Sequence, residues 1–130
     1  MKKYHEIAGK TPSAMPTFLL GAGPDRQLYT LIDSYCEEPE CVGTETFIDL
    51  VPERGPVSIL SFHANIFDGK VSFESDPGDK VGDIAVNFVQ DHVDLILRRR
   101  QVVRAWGLAK LRRKVDYEPA MTYSFQDFRV

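Results

Sequence analysis

Apolar residues alternate with polar ones through the first half of the chain, and near residue 80 the spacing changes to steps of three and four. "TFLLGAG" (17–23) reads as a short strand closing in a turn at Gly21–Pro24, and "LYTLIDSY" (28–35) is dense in strand formers. In "TETFIDLV" (44–51), Thr46, Ile48 and Leu50 share one face, while Phe47 and Val51 make the other partly apolar. "VSILSFHANIF" (57–67) and "KVSFES" (70–75) are joined by Asp68-Gly69, a link suited to a type I′ turn, in which both central residues need positive φ. That turn sets Phe67 opposite Lys70, Ile66 opposite Val71, Ala64 opposite Phe73 and His63 opposite Glu74. It also gathers Leu60, Phe62, Ala64 and Ile66 on one apolar face.

"DPGDKVGD" (76–83) breaks the strand pattern, and Asp83 is the expected helix N-cap. From Ile84 onward Ala85, Phe88, Val89, His92, Leu95 and Ile96 fall on one helical face. The pattern runs on to Lys114, with Gly107 expected to end or bend it. Phe88, Ile96, Val103 and Trp106 are the residues expected to pack on the sheet. Four or five strands followed by a long helix predict an α+β fold, an antiparallel β-meander packed against one long C-terminal helix. Residues 1–15, with Gly9 and Pro12, read as irregular or loosely attached. Residues 117–130, "YEPAMTYSFQDFRV", form an aromatic tail in which Met121, Tyr123 and Phe125 alternate as in a short strand. The 130 residues fit a single domain.

Composition adds a few limits. At 43% hydrophobic and 27% charged residues the chain belongs to the globular class, and a core of ordinary size holds such a fold without metal or disulfide. "MKKYHEIAGK" has lysines but no apolar run behind them, and no stretch is long enough to span a bilayer. The expectation is a cytoplasmic protein with no membrane partner and with reduced thiols.

The candidate chemistry begins with "YCEEPECVG" (35–43), which holds both cysteines. Cys36 and Cys41 have four residues between them, within the spacing of paired zinc ligands, but a structural zinc needs four ligands and only His5, His63 and His92 remain to supply the others. Glu37, Glu38 and Glu40 offer oxygen ligands, yet they disfavour a thiolate by repulsion. A disulfide would close a small loop worth roughly 2 kcal/mol. The leading reading is an acidic loop whose cysteines pack as small apolar groups, with a metal- or thiol-dependent site as an alternative. The stretch "DSYCEEPECVGTETFIDL" resembles uncharacterised bacterial proteins with a Tyr-Cys-x-x-Pro-x-Cys-x-Cys run entering a strand, some of which carry a SEC-C zinc motif further along. The matching positions are Asp33, Tyr35, Cys36, Pro39 and Cys41. The third cysteine falls at Gly43, and no SEC-C motif follows. The resemblance implies a small bacterial domain descended from a metal-binding form.

Residues 98–114, "RRRQVVRAWGLAKLRRK", contain eight of the sixteen basic residues and no acidic one, leaving eight basic against nineteen acidic residues elsewhere. Arg98, Arg99, Arg100, Arg104, Trp106, Arg112 and Arg113 are therefore candidate contacts to a nucleic acid or a protein partner, the arginines to phosphates and Trp106 to an unpaired base. The competing reading is a helix C-terminus favoured by the macrodipole, with arginines snorkelling around a stripe of Val102, Val103 and Trp106. "GAGPD" (21–25) lacks the third glycine of a dinucleotide fingerprint and reads as a turn. "DPGDKVGD" lacks EF-hand spacing and its closing glutamate. His63 with Glu74 reads as a surface pair, and His92 as a packed or boundary histidine. With no catalytic set visible, the function expected is a non-enzymatic binding or protein-interaction module that self-associates. Nucleic-acid binding along 98–114 is the alternative.

Overall fold

The computed structural model describes residues 1–38, 40, 43–54 and 59–116. The expected strand at 121–125 lies outside them. Six strands form one antiparallel sheet: β1 (Lys2–Lys3), β2 (Thr17–Leu20), β3 (Gln27–Tyr35), β4 (Glu45–Pro52), β5 (Leu60–Asn65) and β6 (Val71–Ser72). β3 to β6 run as a meander, while β1 and β2 lie end to end along the other edge of β3. Helices α1 (Tyr4–Ile7), α2 (Asp79–Asp91) and α3 (Val93–Asp116) complete the α+β fold. Residues 1–15, read above as irregular, thus contain β1, α1 and a 3-10 turn at Pro12–Ala14, and they bury His5 and Met15.

Period-two alternation fixes which face of the sheet is covered. Leu31, Leu50 and Leu60 stand in one cross-strand row, and Asp33, Ile48 and Phe62 in the next. Thr46 and Ala64 form the third row, beside Tyr35. All nine are buried. Ala85, Phe88 and Val89 of α2 and Ile96 and Val103 of α3 close this face, and burial of such side chains stabilises by roughly 1.5–3 kcal/mol each. The expected core residues Phe88, Ile96 and Val103 are all there. Trp106 is only half-buried, held between the ammonium groups of Lys2 and Lys110 at 5.4 and 5.2 Å from its ring centre. Val102, expected in the same stripe, is 45% exposed.

The β5–β6 hairpin has the expected faces but a register two residues away from the expected one. Ala64 pairs with Val71 and His63 with Ser72. The loop is four residues long, from Ile66 to Gly69. A type I′ turn would need positive φ at Asp68, and only Gly69 (φ 74°) supplies it. Asn65 decides the longer loop. Its Oδ1 accepts the amides of Phe67 (2.9 Å) and Asp68 (3.3 Å), and Asp68 Oδ1 accepts that of Lys70 (2.8 Å). The Ile66 amide turns back to Thr44 O at 2.8 Å, which carries the Ile66 side chain into the core. A two-residue slip preserves the side-chain faces, so the apolar pattern alone does not distinguish the two registers.

The helical run also divides differently. α2 starts at Asp79, four residues before the expected cap: Asp76 Oδ1 accepts the Gly78 amide at 2.9 Å, and Gly78 (φ 85°) turns the chain into the helix. The break falls at His92 rather than at Gly107. His92 lies off helical geometry (φ −126°, ψ 23°), its Nδ1–H donates to Phe88 O at 2.9 Å, and its ring stacks on Phe88 at 4.6 Å. The stack and that hydrogen bond satisfy the end of α2 locally, and α3 restarts with Ile96 N–H donating to His92 O at 3.1 Å.

Candidate interaction groove and the buried charge cluster

Two opposite charges lie inside the core. Asp33 on β3 points toward the helices, and Arg99 of α3 reaches down to it, with Nη1 donating to Oδ1 at 2.7 Å. The Tyr35 hydroxyl donates to Oδ2 at 2.6 Å, and the Tyr4 ring of α1 lies 4.2 Å from the guanidinium carbon. The Asp33 side chain is fully buried. Burial pushes its carboxyl above the ordinary value of 3.8, against the opposing pull of the Tyr35 hydroxyl and Arg99. The same burial, with the neighbouring carboxylate, drives the Tyr35 phenol far above its usual range, so it stays a hydrogen-bond donor. With both oxygens engaged and no exposed surface, Asp33 does not meet a substrate. The cluster ties α1 and α3 to β3.

This arrangement sets a pH dependence. The folded carboxyl titrates above the unfolded one, so protonation favours the fold. The stability from this group is fully present below the unfolded pKa and is lost as pH rises through the folded one. Asp33→Asn is always neutral and escapes that loss. Wild type is therefore expected to lose stability relative to Asp33→Asn as pH rises from about 4, read by urea unfolding across a pH series. A trend in the opposite direction would mean that Arg99 outweighs burial.

The basic helix is partly turned inward. Arg99 and Arg112 are buried, and Arg100 Nη2 donates to Gly43 O at 3.1 Å while its guanidinium stands 5.8 Å from the Phe67 ring. Arg98 Nε donates to Asp94 O at 3.4 Å within the helix, and Lys110 lies 4.0 Å from Glu37. Arg104 is partly exposed, and the Arg113 side chain lies outside the described residues. Of the described candidates, Arg99 and Arg112 thus face the protein interior. Cys36 is half-buried and Cys41 lies outside the described residues. Among the described residues no cluster of three or more histidine, cysteine or acidic side chains is placed to hold a metal ion. None of the helices described is long and apolar enough to cross a membrane.

Among the described residues, two concavities bear on function. In one, of about 710 Å³, the Gly21–Pro24 turn faces Lys80, Asp83, Asn87 and Asp91 of α2. Gly21 (φ 95°) and Gly23 (φ 58°) make it the tight turn expected, and three of those four α2 side chains bear no positive charge to hold a phosphate. The other, of about 680 Å³, opens where β6 leaves β5. Its geometry follows from the direction of the backbone amides. Ile66 N–H bonds Thr44 O on the β4 side, and Asn65 N–H bonds Lys70 O on the β6 side, so even positions of β5 face β4 and odd positions face away. His63 finds Ser72 on that outer side. Two residues on, at Ser61, β6 has ended, and among the described residues no strand lies beside Leu60–Phe62 there.

This edge, unpaired among the described residues, is the rim of the groove. Leu60, Phe62, Phe73 and Val81 line its inner wall, and Ile59, 56% exposed, lies at the mouth. Ser61 and His63 lie on the outer face of the sheet. Ser61 Oγ donates to Asp49 Oδ1, and the His63 ring packs edge-on against Phe47 with Nδ1 3.9 Å from Glu45. Glu45, not Glu74, is thus the carboxylate beside His63, a consequence of the shifted register. The groove is not legible in the sequence because it depends on where β6 stops; Ser-Asp-Pro at 75–77 is a local sign of that stop. No family model, curated protein or solved structure matches the chain.

Proposed function

We propose that the protein is a non-enzymatic interaction module that receives an extended polypeptide segment as an added strand along the Leu60–Phe62 edge of β5. The observation that carries this reading is the backbone edge at Ser61, unpaired among the described residues, running beside an apolar groove of about 680 Å³. Strand addition draws affinity from main-chain hydrogen bonds and specificity from pockets that take alternate side chains. Here the pocket side is apolar (Leu60, Phe62, Phe73) and the outer side polar (Ser61, His63), so the groove selects a segment in which apolar and small polar residues alternate.

The test is binding of synthetic peptides that alternate aromatic residues with serine or threonine, against scrambled sequences of equal composition. The alternating peptides are expected to bind and to slow hydrogen exchange at the Ser61 amide by about tenfold or more. Backbone N-methylation on the bonding edge of the peptide is expected to abolish both effects. Equal binding of scrambled peptides, or no change at Ser61, would remove the proposal.

A further inference from the structure

We infer that the segment filling the groove is Met121–Phe125 of a second copy of this chain, exchanged reciprocally in a two-fold dimer. The inference rests on the strand-addition reading above and names its occupant. Met121, Tyr123 and Phe125 alternate with Thr122 and Ser124. Added beside β5 in antiparallel or parallel sense, such a run sends its three large apolar side chains toward Leu60, Phe62 and Phe73. It sets its two hydroxyl residues beside Ser61 and His63.

The path of α3 decides between the same chain and another. Phe88 and His92 pack on Phe18, opposite Tyr29; Arg99 meets Asp33; Gly107 lies on Glu37. The helix thus travels along β3 toward its C-terminal end, and its last residue, Asp116, is nine positions past Gly107, about 13 Å further at 1.5 Å per residue. Leu60 lies in the row of Leu31, six residues back from Glu37 along β3, which is about 20 Å in the reverse direction. From Asp116 to Met121 the chain bridges about 17 Å when fully extended, about half of the combined separation. Met121–Phe125 therefore does not reach its own groove, whereas a neighbouring copy has no such limit. Two identical exchanges make the contact isologous, so it closes as a dimer.

Light scattering coupled to size exclusion tests this on the full chain. Wild type is expected to be a dimer that dissociates on dilution. Tyr123→Asp combined with Phe125→Asp, and separately Ser61→Pro, are each expected to give monomers. Ser61 N–H faces away from β4, so proline there removes the edge donor and leaves the β4 ladder in place. Mixing the two variants is expected to restore one exchange, the intact tail of one chain in the intact groove of the other, and so a weaker heterodimer. A merely misfolded variant would not give that result. Wild type monomeric at every concentration, either variant remaining dimeric, or an unproductive mixture would overturn the inference. A synthetic peptide of residues 117–130 separates the two levels. If the tail variant binds unrelated alternating peptides but not this one, the groove is a strand acceptor for another partner and the exchange is wrong. If it binds neither, both readings fall.

Discussion

Arg99→Ala is expected to lower the unfolding free energy by about 3–5 kcal/mol near neutral pH, the range for removing one partner of a buried ion pair. The cost has two sources. The Asp33 carboxyl keeps one hydrogen bond, from Tyr35, and loses its only nearby cation among the described residues. Tyr4 loses the guanidinium under its ring, so α1 loses a tie to α3. Because the orphaned carboxyl escapes much of the penalty by taking up a proton, the loss is expected to shrink under mildly acidic conditions. The double replacement Asp33→Leu with Arg99→Met is expected to recover part of the stability, since an apolar pair carries no ionic desolvation cost, while the Tyr35 hydroxyl loses its acceptor. Urea unfolding of the three proteins checks this. A loss below about 1 kcal/mol for Arg99→Ala would place the pair among solvated surface contacts.

Gly107→Ala is expected to destabilise by about 1–3 kcal/mol, although alanine is the better helix former by about 1 kcal/mol. A Cβ at 107 would sit on the carbonyl oxygen of Glu37, far inside van der Waals contact, with the Glu37 carbonyl carbon at 3.0 Å. The obstacle is main chain, which does not swing aside as a side chain does. Either α3 lifts from β3, loosening Val103 and the Arg99 contact, or residues 36–38 move away from the end of β3. Thermal unfolding of the variant, with the Asp33–Arg99 double replacement as a reference for strain carried along α3, distinguishes the two. A neutral or stabilising Gly107→Ala would show that the Glu37 carbonyl does not lie against the helix.

Both sites left a trace in the sequence. Asp33 occupies the buried phase of a strand, between Leu31 and Tyr35, and Arg99 occupies the buried phase of a helix, between Ile96 and Val103. Two opposite charges standing where the pattern calls for apolar residues are a pair signal even at 66 residues' separation, and reading the arginines as one basic run concealed it. Gly107 shares the Ile96–Val103 face; as a glycine it reads in the sequence as an end or a bend, whereas its lack of a side chain serves close packing. The strands, their buried faces and the helix were legible because alternation and the 3.6 repeat are local and set by burial. The hairpin register was not, because a slip of two leaves every face unchanged and the outcome hung on Asn65 capping its own loop. Nor was the break at His92, where neither glycine nor proline marks the site and a ring stacked on Phe88 does the work.

The far border of the sheet is built from two fragments, Lys2–Lys3 and Thr17–Leu20, placed one after the other along β3 with α1 between them in sequence. They are two and four residues long and break that border into separate pieces, and short pieces are among the ways natural sheets blunt an edge. The strand addition proposed above uses the β5 side instead. Under that proposal, one accepting border and one fragmented border would end the association after a single addition, short of the open stacking that builds fibrils.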